Sequence, residues 1–328
     1  MIRTLLCDLL GIELPIIQAP IASSTCPELA AAVSNSGGLG MLSVTWRQPD
    51  EIRAVIRQTR ALTQKPFGIN LVLESDMHER LNICLEEGVK IVSLFWGEPA
   101  TYIRASHEAG ALVTHSVGSV SEAEEAVSAG ADVIVAQGWE AGGHVRDMIA
   151  TLALVPAVVD AVRPIPVAAA GGIADGRGIA AVLALGASAA WLGTRFVASE
   201  EARAHDVYKQ RLIAAGAGDT VYSTLFDLGW ENAAHRVLRN STVEMWEKAG
   251  RPCKGQRPNE GEVLARRADG SPIVRYSFSP PLATMQGDLE GLAHYAGQGV
   301  ELIKDVQPAA SIVQRLKQET EEVIGQWR

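Results

Sequence analysis

The stretch that decides the fold is VAAAGGIADGRGIAAVLALGASAAWLGTRF, residues 167–196. Two short apolar runs, residues 166–170 and 189–193, stand on either side of an Ala-, Leu- and Gly-rich segment with helical spacing over residues 176–185. Short apolar runs bounded by glycine are typical of buried strands, and the periodic segment between them is typical of a helix. The stretch therefore predicts a strand, a helix and a second strand parallel to the first.

Glycines follow both predicted strands. Gly171 and Gly172 come after Ala170, and Gly193 and Thr194 close the second run. Because the carboxyl ends of neighbouring parallel strands meet at one edge, these positions together would expose backbone N–H groups without obstruction by Cβ atoms, and such a cup holds a phosphate. Close packing of helix on strand explains either glycine pair taken alone, whereas the two pairs together favour the phosphate cup.

The same pattern extends toward the amino terminus. Six more short apolar runs, each followed by a segment that reads as a helix, lie at residues 16–20, 39–43, 67–73, 90–95, 111–116 and 132–136. Nearly continuous apolar runs require burial on both faces, as in a parallel sheet covered by helices. Eight such units predict an α/β fold, a closed (β/α)8 TIM barrel, in which the loops after strands seven and eight form the usual phosphate site.

After residue 196 the alternation breaks. We expect a barrel over residues 1–215, a mostly helical excursion with long loops over residues 216–280, and a segment over residues 281–328 that returns to the barrel. The excursion could cover the site as a lid. Its charged loop at residues 251–262 is either part of such a lid or a solvated connection, and the connection is the simpler interpretation.

Composition narrows the class of protein. The 328 residues are 47% hydrophobic with a net charge of −9, and no cluster of Lys or Arg occurs, so neither nucleic acid nor an anionic membrane is an expected partner. The four cysteines have no CxxC spacing, which argues against a disulfide framework or a structural zinc site. No apolar run is long enough to span a membrane, and the amino terminus lacks the features of an export signal, so we expect a cytoplasmic protein.

In a barrel of this kind, chemistry comes from residues at the carboxyl ends of the strands. The sharpest feature is the loop GWEAGGHVRD, residues 138–147, which places His144 beyond two glycines, where its imidazole can exchange protons near neutral pH. The alternative is an ordinary loop histidine paired with Glu140 or Asp147. The remaining histidines are weaker candidates; those expected on surface helices are His78, His107, His205 and His235, and His294 is not assigned.

The chemistry that is missing restricts the ligand. The chain has no HExxH, no GxSxG, no clustered carboxylates for a metal and no lysine at the end of a predicted strand. A phosphate cup beside one proton-transfer residue favours a phosphate-bearing cofactor that does the redox work, and flavin mononucleotide (FMN) satisfies this. A phosphorylated sugar bound by a non-redox isomerase would use the same cup.

Other candidates for the FMN site come from the same strand ends. Asn70 could hydrogen-bond the polar edge of the ring or the ribityl chain, residues 19–21 could contact the ring, and His115 could supply a positive or dipolar group beside the C2 carbonyl. The predicted cofactor-binding residues are Ala19, Pro20, Ile21, Asn70, His115, Gln137, Gly143, Ala170, Gly171, Gly172, Gly193 and Thr194. No metal is expected.

Six motifs in order, IIQAPIA, AAAVSNSGGLGMLS, KPFGINLVL, AQGWEAGGH, VAAAGGIADGRG and LGTRFVAS, resemble those of the nitronate monooxygenase (2-nitropropane dioxygenase) family. Flavin-dependent enoyl-acyl-carrier-protein reductases and NADH:quinone reductases share most of them. The resemblance covers about residues 10–215, with weaker support from YAGQGVELI at residues 295–303. It implies an FMN phosphate at Gly171, Gly172, Gly193 and Thr194, ring contacts from Asn70 and residues 19–21, and His144 as the catalytic acid/base.

Two positions depart from the family pattern. Family members often have methionine at the place of Ile21, and lysine or another polar group at the place of His115, which would alter the surroundings of the flavin ring. The segment at residues 219–280 has no feature that assigns it to one subgroup. The resemblance therefore implies the cofactor more directly than the substrate.

The expected activity is FMN-dependent oxidation of alkyl nitronates with O2 as the co-substrate, with His144 as the base for a neutral nitroalkane. An unperturbed histidine would titrate at about 6.5, unless burial shifts it. One alternative is a reductase of enoyl thioesters or quinones that uses NAD(P)H transiently, since no GxGxxG follows the first strand. Another is a non-catalytic barrel that binds a phosphate ligand. A homodimer is an open possibility.

Overall fold

A computed structural model describes residues 3–326, and its centre is a barrel of eight parallel strands. The barrel strands follow one another around the barrel in chain order, and backbone pairing of Ile17 with Leu39 joins the first strand to the second. Their bounds are Ile16–Gln18, Gly40–Ser43, Phe67–Val72, Ile91–Phe95, Leu112–Val117, Val133–Gln137, Val167–Ala170 and Ala189–Leu192. The predicted (β/α)8 barrel is confirmed.

Helices surround the barrel and begin at residues suited to helix starts. Prolines occupy the first turn of Pro27–Asn35 and Pro49–Leu62, and the Asp175 side chain accepts hydrogen bonds from the N–H groups of Arg177 and Gly178. The α-helices are Leu5–Leu10, Pro27–Asn35, Pro49–Leu62, His78–Glu86, Ala100–Glu108, Val120–Ser128, Thr151–Val162, Gly176–Ala184, Thr194–Val197, Asp206–Ala214, Ser241–Lys248 and Ala309–Gly325. None of the described helices is long and apolar enough to cross a bilayer.

Two apolar layers hold the barrel together. Side chains such as Ile17, Met41 and Val135 fill its interior, and a larger layer lies between the strands and the helices. The approach of helix to strand is close at Gly40, where an added Cβ would lie 2.0 Å from the carbonyl oxygen of Ala30. Glycine is therefore required there by packing.

The segment at residues 216–280 is not mostly helical, so that prediction is wrong. It contains one α-helix, Ser241–Lys248, and four short strands, Thr220–Ser223, His235–Leu238, Val263–Arg266 and Pro272–Val274. The second of these strands pairs with Gly143–His144 of the barrel loop, and the third pairs with Gln286–Gly287 near the carboxyl terminus. These partners are far away in the chain, so local periodicity carries no signal for them. The dipeptide Asp269-Gly270 is a recognised hairpin signal that could have indicated the last two strands.

The carboxyl-terminal helix Ala309–Gly325 returns to the barrel. It packs against Gly176–Ala184 and also contacts Pro27–Asn35. The contact is tight at Gly176, where an added Cβ would lie 2.3 Å from the Cβ of Glu319.

Candidate active site

A cavity of about 710 Å³ opens at the carboxyl ends of the barrel strands. Its size lies within the range of roughly 300–1,000 Å³ that is usual for small-molecule and cofactor sites. The predicted site residues that line it are Ala19, Pro20, Ile21, Asn70, Gln137, Gly143, His144, Ala170, Gly171, Gly172, Gly193 and Thr194. The barrel therefore brings together all the predicted site residues except His115.

The two glycine pairs form one side of this cavity. Gly171 and Gly172 have φ values of +115° and +69°, which glycine adopts readily and other residues rarely do. Within the described chain, neither of their N–H groups donates a hydrogen bond to a protein group. An added Cβ at Gly193 would meet nothing closer than the Ala19 and Ile21 side chains at 3.7 Å. This side of the cavity thus offers free backbone donors and open space.

A third segment, residues 297–299, completes the cup, although it is not among the predicted site residues. The N–H of Gly297 donates to Thr194 Oγ1 at 3.0 Å. An added Cβ at Gly299 would lie 2.2 Å from the carbonyl oxygen of Gly172, so this backbone packs directly on the cup. The glycines of YAGQGVELI were the available signal, and their distance in sequence concealed the contact.

Two side-chain amides line the cavity, and they differ in whether their polar atoms have hydrogen-bond partners. Asn70 Nδ2 donates to the carbonyl oxygen of Ser93 at 3.2 Å, which orients this buried side chain. Gln137 Nε2 donates to the carbonyl oxygen of His144 at 3.2 Å, whereas its buried Oε1 has no partner among the described residues. A buried acceptor without a donor is costly, so this oxygen is suited to an N–H group on a bound ligand.

His144 lies on the cavity wall in the two-residue strand Gly143–His144, which pairs with His235–Leu238. Its ring stacks on Trp230 with centroids 3.9 Å apart and an interplanar angle of 28°. The buried Nε2 has no hydrogen-bond partner in the described chain. Burial, together with the neighbouring His235, lowers the pKa of His144 well below its ordinary value of 6.5. The imidazole is therefore neutral near pH 7 and can accept a proton.

The two acidic residues of the loop do not pair with His144. The carboxylate of Glu140 accepts from the N–H and the hydroxyl of Thr151, each at 2.9 Å, and so caps the helix Thr151–Val162. Asp147 accepts from the N–H of Met148 at 2.6 Å. His144 is therefore not an ordinary loop histidine held by Glu140 or Asp147.

His115 is placed away from the cavity, contrary to the expectation that it contacts a flavin ring. It has the same parity on its strand as Val113 and Val117, which belong to the apolar layer under the helices, and the adjacent Ser116 lines the cavity instead. Side chains alternate between the two faces of a strand, so a shift of one residue decides which side chain faces the site. Burial lowers the pKa of His115 to about 4, which leaves it uncharged.

Two other histidines are also buried. His235, expected on a surface helix, is a strand residue whose Nδ1 lies 2.9 Å from the carbonyl oxygen of Ala233 and whose Nε2 accepts from the N–H of Phe226. His294 is fully buried with Nδ1 2.9 Å from the carbonyl oxygen of Leu292. Both ring nitrogens of His235 thus bond the local backbone, whereas the buried Nε2 of His294 has no partner among the described residues.

Residues of the excursion line part of the cavity, but the charged loop at residues 251–262 does not. That loop is fastened by the buried Arg257, which pairs with Asp227 at 2.7 Å and also with Glu260. The cavity is lined instead by the hairpin around Asp269-Gly270, through Arg267 and Ser271, and by residues 278–280. No group of His, Cys, Asp and Glu among residues 3–326 is arranged to hold a metal ion.

Comparison with known proteins agrees with this geometry. The family model described as nitronate monooxygenase matches residues 3–79 and 74–319. The chain belongs to the nitronate monooxygenase family. A nitronate monooxygenase of Paraburkholderia phytofirmans is 35% identical over 98% of this chain and 96% of its own length.

Other proteins similar to this chain are named for different activities. The (3aS,4S,5R,7aS)-5-hydroxy-7a-methyl-1-oxo-octahydro-1H-indene-4-carboxyl-CoA dehydrogenase of Mycobacterium tuberculosis is 39% identical over 76% of this chain and 70% of its own length. The structure of FabK from Thermotoga maritima is 38% identical, with a TM-score of 0.83 over 100% of this chain and 99% of that one. The chain is accordingly an enzyme of an oxidoreductase family, and the family match extends through the excursion.

Proposed function

We propose that this protein is an FMN-dependent enzyme that oxidises alkyl nitronates with O2. The observation that carries the proposal is the presence, in one cavity, of an open glycine cup and a neutral histidine that is free to accept a proton. Family membership supports the same activity.

The residues present fit FMN. Gly171, Gly172, Gly193 and Thr194 would hold its phosphate, because the N–H groups of Gly171 and Gly172 are free and the space beside Gly193 is open, which suits an anion. Residues 19–21 together with Ala170, Asn70, Gln137 and Gly143 would hold the ring and the ribityl chain, and the unpartnered Oε1 of Gln137 provides an acceptor. When bound, FMN would supply the electron transfer between substrate and oxygen.

The protein's own part in this chemistry is proton transfer and enclosure. His144 would take the α-proton of a neutral nitroalkane, which requires a neutral imidazole, and would orient an anionic nitronate that has already lost the proton. The stacked Trp230 fixes the plane of the imidazole ring. Residues 216–280 would act as the cover that keeps water from the reacting atoms.

The lowered pKa of His144 predicts the pH dependence. The base is active when neutral, and because its pKa lies well below 6.5, His144 is already unprotonated at pH 6.5. The value of kcat/KM for a neutral nitroalkane should therefore not rise through a histidine ionisation between pH 6.5 and pH 8. The loss caused by protonation of His144 should be confined to lower pH. The measurement is the pH profile of initial rates, with the preformed nitronate as the control at each pH. A sigmoidal rise centred near pH 6.5 would contradict this prediction.

A second candidate function is the NAD(P)H-dependent reduction of enoyl thioesters or quinones. The observation that favours it is the polar mouth of the cavity, where Arg267 lies beside Ser271 and Ser279 and could meet the anionic part of a larger molecule. A relative named as a carboxyl-CoA dehydrogenase supports a thioester as substrate. In this case NAD(P)H would be a transient reductant and His144 would donate a proton to the product.

One anaerobic experiment separates these functions. The purified protein is expected to be yellow, with FMN bound, and a nitronate should bleach the flavin faster than NADH or NADPH does. The opposite order would support the reductase. If the protein were colourless and FMN did not restore the colour, both FMN-dependent functions would be rejected. The remaining hypothesis would be a barrel that binds another phosphate ligand.

A further inference from the structure

The side of the cavity next to His144 is formed by aromatic rings. Four of them, Trp46, Phe95, Trp230 and Phe278, line the cavity and pack on one another, and we call them the aromatic wall. Trp46 lies with its ring centroid 6.1 Å from that of Trp230 and 5.6 Å from that of Phe278, and Phe95 lies 6.4 Å from Trp230. Tilted and edge-on pairs at such distances are favourable arrangements of aromatic rings.

The aromatic wall lies across the barrel mouth from the phosphate cup. Trp46 follows the second barrel strand and Phe95 ends the fourth, whereas the cup follows the seventh and eighth. In a closed eight-stranded barrel the fourth strand faces the eighth, and the second strand lies three positions from the seventh, so the wall and the cup lie on different sides of the mouth. A ligand that meets the aromatic wall is therefore not the phosphate end of the cofactor.

Attachment of the excursion to the barrel is one use of these rings, since Trp46 and Phe95 come from the barrel and Trp230 and Phe278 from the excursion. That use alone would bury all four. Trp46, Phe95 and Phe278 remain only partly buried although they lie in a cluster, and all four border the cavity. Their accessible surface thus faces the cavity, beside His144.

The wall is also apolar close to the proposed base. Trp230 is buried, stacks on His144 on one side and contacts Trp96 at 5.2 Å between centroids. The cluster that contains the four rings consists of hydrophobic residues. A preformed apolar surface binds flat apolar groups with little ordering cost.

Building on the proposed nitronate oxidation, we infer that the substrate carries an aromatic or other bulky apolar substituent on its reacting carbon, which the aromatic wall binds. Trp46, Trp230 and Phe278 are then the residues that determine specificity. Short unsubstituted nitronates would leave this surface uncovered and would be poorer substrates.

The test uses the FMN-loaded protein and two unreactive carboxylates, phenylacetate and propionate, which have the same heavy-atom skeletons as the nitronates of phenylnitromethane and nitroethane. Binding is measured from the change in flavin absorbance, without turnover. We expect phenylacetate to bind about 10-fold or more tightly than propionate, because a phenyl group removes more apolar surface from water than a methyl group does. Trp46→Ala and Phe278→Ala should each reduce this preference several-fold with little effect on propionate.

Trp230→Ala is expected to have the largest effect, and Trp230→Phe should restore part of the preference. The matched control is Trp246→Phe, because Trp246 donates from Nε1 to the carbonyl oxygen of Pro252 and does not line the cavity. Equal binding of the two anions by the wild type, or a preference that Trp46→Ala and Phe278→Ala leave unchanged, would overturn the inference.

The outcome is separable from that of the proposed function. Selective binding of phenylacetate in a protein that oxidises no nitronate would retain the aromatic wall as a binding site and reject the nitronate chemistry. The opposite result is equal kcat/KM for the anions of nitroethane and phenylnitromethane. It would retain the nitronate oxidation and reject the aromatic wall as a binding site for the substrate.

Discussion

Replacing His144 with alanine is expected to lower the turnover of a neutral nitroalkane by roughly 100- to 10,000-fold, the usual contribution of general-base catalysis. The reason is that Nε2 of His144 is a buried nitrogen without a protein partner, on the wall of the cavity, and its lowered pKa keeps it unprotonated. Turnover of the preformed nitronate should fall far less, because the anion has already lost its proton. FMN should remain bound, since the phosphate cup lies on other loops.

The measurement is the ratio of kcat/KM for the neutral and anionic forms of one nitroalkane, in wild type and variant. His107→Ala is the matched control, because this histidine is exposed and pairs with Asp132 on the outside of the barrel. Equal losses with both forms of the substrate would assign His144 to substrate positioning. Full activity with both would leave it without a catalytic part.

Gly193→Val is expected to weaken FMN binding by about 10- to 100-fold. An added Cβ has room in the protein, with Ala19 and Ile21 no closer than 3.7 Å, so the new side chain would project into the cup without straining the fold. Overpacking of a filled site costs about 1–3 kcal/mol, and about 1.4 kcal/mol corresponds to a tenfold change in affinity. The affinity is measured by titrating FMN into the apoprotein and following flavin fluorescence.

A second substitution and a control make the result specific. Gly172→Val should also expel FMN, but Gly172 has a φ of +69°, so backbone strain adds to the obstruction. Gly218→Val places the same side chain at a glycine with no neighbour within 4 Å and away from the cavity, and should leave FMN affinity unchanged. Wild-type affinity in Gly193→Val, with the protein folded, would place the phosphate elsewhere.

Much of the barrel could be read directly from the chain. Each strand is a short apolar run that is largely buried, and several helices show their own start signal, such as Pro27, Pro49 or the Asp175 cap. Since both signals are local, alternation along the sequence was enough to predict the fold. Chain order in a parallel barrel then predicts that the loops after the seventh and eighth strands are neighbours.

Local sequence patterns could not predict which face of a strand a single side chain occupies, nor which distant strands pair outside the barrel. His115 and Ser116 differ by one position on a buried strand, and only the register of the barrel decides that Ser116 faces the cavity. The strand Thr220–Ser223 pairs with His235–Leu238, which in turn pairs with Gly143–His144. No local pattern in residues 220–238 predicts that partner.

The sequence by itself determined the barrel, the glycine cup and the place of His144 at the barrel mouth, because these follow from local periodicity and from the order of parallel strands. Only the tertiary structure decided that Gly299 packs on the cup, that Trp230 stacks on His144 and that four rings form the aromatic wall. The physical reason is that such contacts join residues distant in the chain, and their free energy depends on surfaces that exist only once the barrel has closed.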